Sequence, residues 1–140
     1  MVLFGANNFP QQLRFDPMHD GWICWDKREN ERADKIIGSP FELAAVFGQR
    51  TYKIIRMQHC GIKNADGDHS GRQHPTQKPV KLMKRIISFF PGAEKLIDPF
   101  MGSGTTLRAA KDLKRKAIGI EIEEKYCEIS ARRMRQEVLI

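Results

Sequence analysis

The sequence predicts an α/β fold built around a pair of parallel strands, and two features of residues 96–121 predict it. A short apolar run ends at Leu96-Ile97, and Asp98-Pro99 stops it because proline cannot donate a hydrogen bond within a sheet. We expect this run to be a buried strand. A glycine-containing loop and a helix follow, and a second short strand, Ala117 to Ile120, is followed directly by Glu121. This order of elements is typical of parallel sheets, which bind ligands at the carboxyl ends of their strands.

The loop between the two strands predicts a small-molecule site. Gly102 and Gly104 allow the backbone to turn tightly beside a ligand, and Thr105 or Thr106 can cap the helix that follows. A dinucleotide-binding loop needs a third glycine where Leu107 stands, and a phosphate-binding loop needs a lysine after its last glycine. Because both are missing and Glu121 can accept hydrogen bonds from ribose hydroxyl groups, the pattern favours an adenosine site. The alternative is that the loop is only a turn with a helix cap.

Apolar runs and helical spacing predict the remaining elements. The predicted strands are Val2–Phe4, Gly21–Trp25, Phe41–Phe47 and Tyr52–Met57, and the predicted helices are Val80–Phe90, Thr105–Leu113 and Glu123–Glu137. Residues 61–77 are rich in Gly, Asp, Asn, Ser and His without periodicity, and we expect a mobile loop there. The tryptophans of Gly21–Trp25 are interpreted as core residues, with base stacking as the alternative.

Length and composition predict a single cytoplasmic domain. A chain of 140 residues is long enough to bury a core, and no apolar run approaches the length that spans a membrane. The apolar segment formed by the first four residues is too short, and lacks the positive charge, for a signal peptide. Three scattered cysteines suit reduced thiols, and the histidines and cysteines lack the paired spacing of metal ligands. No metal site is therefore expected.

The net charge of +7 lies mostly in the second half of the chain. Residues 1–77 hold 10 basic and 9 acidic side chains, whereas residues 78–140 hold 14 and 8. A positive domain favours phosphate-rich partners, because binding releases their counterions. We interpret the densest basic cluster as an exposed helix face and turn rather than a nucleic-acid contact; it comprises Arg108, Lys111, Lys114, Arg115 and Lys116.

Three segments carry a resemblance to a known family. The runs HPTQKPVKLMKRII, LIDPFMGSGTT and Ala117–Ser130 resemble the C-terminal half of the DNA methyltransferases that modify adenine N6 or cytosine N4. The order of the segments resembles the permuted class, in which the catalytic segment precedes the cofactor segment. VLFGANNF, GWICWDK and FELA are similar to the middle of short, phage-type members. The resemblance implies a Rossmann-type fold dependent on S-adenosylmethionine, with residues 1–71 as the middle segment and 72–140 as the cofactor segment of one domain.

The resemblance also implies site residues and partners. The Asp98 loop and Glu121 are expected to hold S-adenosylmethionine, with residues 74–79 against its methionine end. The expected cofactor-binding residues are His74, Thr76, Lys78, Asp98, Phe100, Gly102, Ser103, Gly104, Thr105 and Glu121. The expected partner is double-stranded DNA, and the family places target recognition between Lys27 and Arg72. The basic residues there that are expected to contact phosphates are Arg50, Lys53, Arg56, Lys63 and Arg72.

One element of the family is missing from the sequence. The family holds the target amine with D/N-P-P-Y/F/W, whose side chain and carbonyl accept its hydrogens while the aromatic ring stacks on a base flipped from the duplex. No such tetrapeptide occurs among the 140 residues; Asp16-Pro17-Met18-His19 lacks the second proline and the aromatic residue. No catalytic residue is therefore assigned. By family order the motif is expected upstream of Val2, so we expect a fold that is incomplete at its N-terminus.

In the family the missing motif is carried by a strand, and the loss of this catalytic strand has a predicted consequence for the sheet. The catalytic strand lies between the strand ending at Ile97 and the strand Val2–Phe4. Because neighbouring strands are about 4.8 Å apart, its loss leaves a gap of about 10 Å. A separately encoded N-terminal segment, a strand from a second copy, or collapse of the sheet would close this gap. We predict a site-specific DNA methyltransferase that is inactive alone; the alternative is a catalytically dead remnant or regulatory subunit that binds S-adenosylmethionine or DNA.

Overall fold

The computed structural model describes residues 1–8, 10–28, 39–57 and 77–135. The chain divides into two compact units, Met1–Cys60 (unit 1) and Gly61–Ile140 (unit 2). The prediction of one domain for residues 1–140, with its segments meeting at residues 71 and 72, stays a prediction. The predicted loop at 61–77 lies outside the described residues except for Gln77. No helix in the described part of the chain is long and apolar enough to cross a membrane.

Unit 1 contains a four-stranded sheet in the order β1, β3, β2, β4. The strands are β1 (Val2–Phe4), β2 (Gly21–Asp26), β3 (Phe41–Val46) and β4 (Tyr52–Arg56). β3 lies between β1 and β2 and is antiparallel to both, whereas β4 pairs with β2 in parallel. All four strands predicted from the sequence are confirmed, with ends that differ by no more than about one residue.

The core of unit 1 follows from the alternation of side chains along β2. Ile23 and Trp25 are fully buried, whereas Trp22 and Cys24, which point to the opposite face, are half-buried. The indole nitrogen of Trp25 donates a hydrogen bond to the carbonyl oxygen of Met57 at 2.9 Å, so its one polar atom has a partner. The ring of Trp22 stacks on Phe15 with centroids 5.0 Å apart. Trp25 is thus a core residue, as predicted.

Unit 2 contains the strand, loop, helix and strand predicted from the sequence. Its elements are α1 (Val80–Ser88), β5 (Lys95–Asp98), α2 (Thr105–Asp112), β6 (Lys116–Gly119) and α3 (Glu124–Arg135). β5 and β6 are parallel, and Ile97 lies opposite Ile118. The helices are confirmed, although α1 and α2 end before the predicted residues; the predicted end of α3 at Glu137 lies outside the described residues.

The helices of unit 2 pack through small and branched apolar side chains. Leu82, Ile86 and Ile87 of α1 are buried, as are Ala109 and Ala110 of α2, and the two helices are in contact. The small alanines allow close approach of the helix axes. Arg115 then donates hydrogen bonds to the carbonyl oxygens of residues 87, 90 and 93, which lie at and after the C-terminus of α1. A cation at this position satisfies carbonyl groups that have no partner within the helix.

Two local predictions are wrong. Ile97 is 67% exposed, so the strand that it ends is not buried on both faces. The N-cap of α2 is Gly104 and no side chain caps the helix, whereas Thr105-Thr106 had been expected to do so. The reason is that Thr105 is already inside the helix and is buried, with its hydroxyl oxygen 3.5 Å from Nη1 of Arg133.

Gly104 allows the loop to pack directly on α3. Its φ of +79° lies in the left-handed region, which side chains with a Cβ avoid. A Cβ at this position would also lie 2.1 Å from the Oγ of Ser130, a residue of α3 that is itself buried. Glycine is therefore required here by both backbone conformation and space.

We expect Gly104→Ala to lower the free energy of unfolding by more than about 2 kcal/mol, because the left-handed conformation alone costs about 1–2 kcal/mol and the clash adds to it. Chemical denaturation followed by the helical circular dichroism signal measures this. Gly92→Ala is the matched control, since a Cβ there meets no atom within 4 Å and φ is not left-handed. Equal stability of the two variants would contradict the assigned role of Gly104.

Candidate functional site

The glycine loop begins at the carboxyl end of β5 and is tied to the end of β6 by the backbone. The Ile120 amide donates to the carbonyl oxygen of Asp98 at 2.8 Å, and the Met101 amide donates to the carbonyl oxygen of Ile120 at 3.0 Å. The Asp98 side chain folds back on the loop, where its Oδ1 accepts from the Phe100 amide at 3.0 Å. Asp98 therefore fixes the turn after Pro99 as well as ending the strand.

The carboxylate of Glu121 joins the loop to the segment after β6. Its Oε2 accepts a hydrogen bond from the Gly102 amide at 2.9 Å. Its Oε1 accepts from the Ile122 and Glu123 amides at 2.9 and 3.0 Å. The left-handed φ of Gly102, +51°, belongs to the turn that presents this amide. Amide donors thus orient an acceptor group at the edge where a parallel sheet binds ligands.

The other side of the loop is held by a buried arginine of α3. Nη1 of Arg133 donates to the carbonyl oxygen of Ser103 at 2.9 Å and to its Oγ at 3.1 Å. The Ser103 hydroxyl in turn donates to Oε1 of Gln77 at 3.1 Å. Ser103, Thr105 and Arg133 are all buried. The hydroxyl groups of Ser103 and Thr105, both expected to bind the cofactor, lie against Arg133, and their cofactor contact stays a prediction.

Arg133 was not singled out as a site residue from the sequence, where it was one of several arginines near the end of the last helix. A signal was present in its spacing. Ser130 and Arg133 are three residues apart on the buried face of α3, and both contact the loop region. A buried arginine that donates to a loop carbonyl stabilises one loop conformation, because moving the loop would break hydrogen bonds of a buried charge.

Two exposed apolar side chains lie in the loop segments. Phe100 is 85% exposed and Ile122 is 94% exposed, although apolar groups of this size are usually buried. Phe100 precedes Gly102 in the loop, and Ile122 follows Glu121 directly. Phe100 was among the predicted cofactor residues; Ile122 was missed because a single apolar residue after a strand has no pattern. Both supply exposed apolar surface in the segments that Glu121 and the Gly102 amide join.

The remaining predicted cofactor residues are only partly described. Lys78 is half-buried and lies two residues before α1. His74 and Thr76 lie outside the described residues. In unit 2 the structure therefore brings together seven of the predicted residues, which belong to the loop after β5, the first turn of α2 and the segment after β6: Asp98, Phe100, Gly102, Ser103, Gly104, Thr105 and Glu121.

Of the predicted DNA-contacting residues, three are described and all lie in unit 1. Arg50 is exposed, and Lys53 and Arg56 lie on β4. Nε of Arg56 donates to Oδ2 of Asp26 at 3.2 Å, and Arg28 binds the same carboxylate. Asp26 is buried, and the hydrogen bond from Arg28 holds its pKa well below the usual range, with Arg56 contributing. Lys63 and Arg72 lie outside the described residues.

The basic cluster around α2 takes part in bonds within unit 2. Arg108 donates to Oδ1 of Asp112 at 3.0 Å and to the carbonyl oxygen of Arg133 at 3.1 Å. Lys111 donates to the carbonyl oxygen of Met134, and Arg115 binds the end of α1. These contacts favour its interpretation as the surface of a helix and turn.

The Asp16-Pro17 sequence forms a closed turn. Oδ1 of Asp16 accepts from the Met18 amide at 2.9 Å, and Oδ2 lies 2.6 Å from Nδ1 of His19. This bond lowers the pKa of Asp16 and raises that of His19. Asp20 is buried and accepts from the amides of Asp16 and Gly48. The Asp16 carboxylate is thus hydrogen-bonded to groups of its own turn.

Within the described ranges no group of three or more potential metal ligands occurs, and the expected absence of a metal stays a prediction.

The sequence and the structure of the chain are similar to those of known DNA methyltransferases. The N6_N4_Mtase family model, described as "DNA methylase", matches residues 6–132. The type II methyltransferase M2.LlaDCHI of Lactococcus lactis subsp. cremoris is 45% identical over 113 residues, which cover 80% of this chain and 40% of that protein. The type II methyltransferase M2.DpnII of Streptococcus pneumoniae is 46% identical over 66 residues, which cover 46% of this chain and 25% of that protein. The chain thus spans less than half the length of these curated relatives.

Two solved structures share the fold. The crystal structure of the M1.HpyAVI–SAM complex is 28% identical with a TM-score of 0.63, and the match covers 97% of this chain and 74% of that one. The PvuII DNA methyltransferase, described as cytosine-N4-specific, is 16% identical with a TM-score of 0.62, and the match covers 96% and 57%. The expected methyltransferase type of α/β fold is confirmed. Because the family model spans most of the sequence, the chain belongs to the N6/N4 DNA methylase family.

Proposed function

We propose that the glycine loop of unit 2 and Glu121 bind S-adenosylmethionine for the methylation of an amino group in DNA. The observation that carries this proposal is the Glu121 carboxylate, which follows β6 by two residues and accepts a hydrogen bond from the Gly102 amide. A carboxylate at the end of the second strand is the group that accepts ribose hydroxyl donors in related nucleotide sites. The family of the chain and the complex formed by M1.HpyAVI support the same cofactor.

The residues present fit this cofactor. Glu121 supplies acceptors for ribose hydroxyl groups, and the exposed side chains of Phe100 and Ile122 supply apolar surface for an adenine ring. The loop contains no lysine, which suits a ligand without phosphate groups. When bound, the cofactor supplies an electrophilic methyl group on its sulfonium sulfur. The roles of this chain are to bind and orient it, with Arg133 and Glu121 fixing the two sides of the loop. His74, Thr76 and Lys78 are proposed to lie near the methionine end.

The substrate of the proposed reaction is an adenine N6 or cytosine N4 amine in double-stranded DNA. Basic residues of the target-recognition interval are proposed to contact its phosphates: Arg50, Lys53, Arg56, Lys63 and Arg72. Arg56 would contribute in two ways, since it also binds Asp26 and is thereby held in one orientation while its side chain remains about half exposed. The net charge of +7 supports attraction to DNA that weakens with salt.

Methyl transfer also needs groups that these 140 residues do not contain. The 140 residues lack the D/N-P-P-Y/F/W motif, which in the family accepts the hydrogens of the target amine and stacks on its base. We infer that residues 1–140 supply the cofactor half of a permuted enzyme and that the motif lies on a segment outside these residues, with a separately encoded segment as one candidate. A second copy could fill a gap in the sheet but would not bring the motif. Family membership does not favour the alternative of a catalytically dead remnant.

We expect Glu121→Ala to weaken S-adenosylmethionine binding by about 1.5–3 kcal/mol, or roughly tenfold to a hundredfold, because a charged hydrogen-bonding group is lost. Calorimetric titration of the folded chain measures this. Glu128→Ala removes an exposed carboxylate of α3 and should leave the affinity unchanged. Equal affinities of the two folded variants would remove Glu121 from the site, and a folded wild-type chain that binds no cofactor would contradict the proposal.

We expect the purified chain 1–140 not to methylate DNA, because the missing motif leaves no aligned amine, and alignment supplies on the order of 7–11 kcal/mol in well-oriented systems. Transfer of a labelled methyl group to duplex DNA is the measurement. Adding a polypeptide that carries D-P-P-Y, fused or separate, should produce transfer, and the same polypeptide with A-P-P-A should not. Methylation by 1–140 alone would show that another segment performs the catalysis.

A further inference from the structure

Two arginines of unit 1 bind one buried carboxylate at the end of the sheet. Asp26 and Arg56 are the last residues of β2 and β4 and are register partners in the parallel pair. The Asp26 carboxylate accepts from Nε of Arg28 at 2.9 Å through Oδ1 and from Nη2 of Arg28 at 3.2 Å through Oδ2. The same Oδ2 accepts from Nε of Arg56 at 3.2 Å. We call Arg28 and Arg56 the arginine pair.

The arginine pair is held by a buried group and is itself partly exposed. The Asp26 side chain is 7% exposed, whereas the side chains of Arg28 and Arg56 are 30% and 51% exposed. A guanidinium group carries five N–H donors in a rigid plane, and Asp26 accepts two from Arg28 and one from Arg56. Asp26 therefore orients both planes while it uses only a minority of their donors.

The arginine pair carries more positive charge than Asp26 cancels. The hydrogen bond from Arg28 holds the pKa of Asp26 well below its usual range, so the carboxylate is ionised at neutral pH and faces two guanidinium groups. Glu42 of β3 lies on the opposite face of the sheet, because its register partner is Trp25, and it binds Lys27 at 3.3 Å. The excess charge has the sign that attracts a phosphate.

The position and the spacing of the arginine pair suit one phosphate group. Because β1 and β2 are both antiparallel to β3, the strands β1, β2 and β4 are parallel, and their carboxyl ends lie at the edge that holds the pair. Ligands of parallel strands bind beyond that edge. Nη2 of Arg28 and Nε of Arg56 each lie 3.2 Å from the same oxygen, so they are no more than twice that distance apart. The two non-bridging oxygens of one phosphate, with hydrogen bonds of about 2.9 Å, are able to accept from both groups.

We propose that Arg28 and Arg56 together bind one phosphate of the DNA backbone and that Asp26 is the positioning residue that orients them. The sequence had indicated Arg56 alone as a phosphate contact, and Arg28 and Asp26 had no assigned role. The inference rests on the proposed function, because its ligand is the proposed DNA substrate. The residues that carry it lie in unit 1, whereas the proposed cofactor residues lie in unit 2. Binding of DNA and binding of S-adenosylmethionine are therefore measured separately on each variant.

The first test keeps the charge of the pair and removes its planar groups. Fluorescence anisotropy of a labelled DNA duplex of mixed sequence measures the affinity of the chain 1–140. Arg28→Lys with Arg56→Lys should weaken binding at least about fivefold, because lysine does not form the paired hydrogen bonds of a guanidinium group. Arg132→Lys with Arg135→Lys is the matched control on α3, where both residues are exposed, and should leave the affinity unchanged.

The second test sets orientation against net charge. Asp26→Asn raises the net charge by one, so general attraction to DNA predicts tighter binding. Loss of the orienting carboxylate predicts weaker binding, and we expect a loss of at least about threefold. Glu128→Gln makes the same change in charge at an exposed position of α3 and should not weaken binding. Circular dichroism establishes that each variant is folded.

The salt dependence of binding counts the phosphates. Arg28→Ala with Arg56→Ala should reduce the magnitude of the slope of log K against log salt by about one, the value for one phosphate. An unchanged slope, or a reduction by about two, would overturn the shared contact.

Equal effects of the two double lysine variants, or tighter binding of a folded Asp26→Asn chain, would also overturn the proposal. A wild-type chain that binds S-adenosylmethionine but no duplex would overturn it together with the proposed DNA substrate. A wild-type chain that binds the duplex through the arginine pair but binds no S-adenosylmethionine would support the pair and contradict only the proposed cofactor site.

Discussion

The hydrogen bond from the Gly102 amide to the Glu121 carboxylate is the contact on which the candidate site depends. It connects two segments 19 residues apart, the loop after β5 and the turn after β6, at the edge where both strands end. The carboxylate also accepts from the amides of Ile122 and Glu123, so its position follows from the backbone rather than from side-chain packing. An acceptor fixed in this way is oriented before any ligand arrives, which reduces the entropy lost on binding.

The loop is held from the other side by α3. Arg133 of α3 donates to Ser103 of the loop. Ser130 of α3 occupies the space that a side chain on residue 104 would need. The packing of α3 on the loop therefore requires an arginine at position 133 and a glycine at position 104. The sequence order of this unit explains why the contacts form together: each connection between its elements is short, and α2 packs on both strands and on the two other helices. The loop is thus held by these contacts with α3 together with the backbone hydrogen bonds between Met101, Ile120 and Asp98.

The elements of both units could be predicted from the sequence because their signals are local. Apolar runs mark the strands, Asp98-Pro99 marks the end of β5, and helical spacing marks α1. The exposure of Ile97 could not be predicted, because a β-branched residue in a short apolar run is equally compatible with one covered face or two. The predicted N-cap of α2 was wrong because threonine is common at cap positions, whereas here Thr105 lies inside the helix and its hydroxyl group contacts Arg133.

The candidate site was predicted in part. Asp98, Gly102 and Glu121 lie at one edge, as strand order implies, and their contact with a cofactor stays a prediction. Arg133 and Ile122 were missed, because one is defined by a contact across 30 residues and the other only by its exposure.

The most direct measurement of the central claim is the amide NMR spectrum of the chain during titration with S-adenosylhomocysteine. The resonances of Gly102, Ile122 and Glu123 should shift together and saturate, with slower hydrogen exchange at Gly102. Saturating ligand that leaves these three amides unchanged would contradict the account.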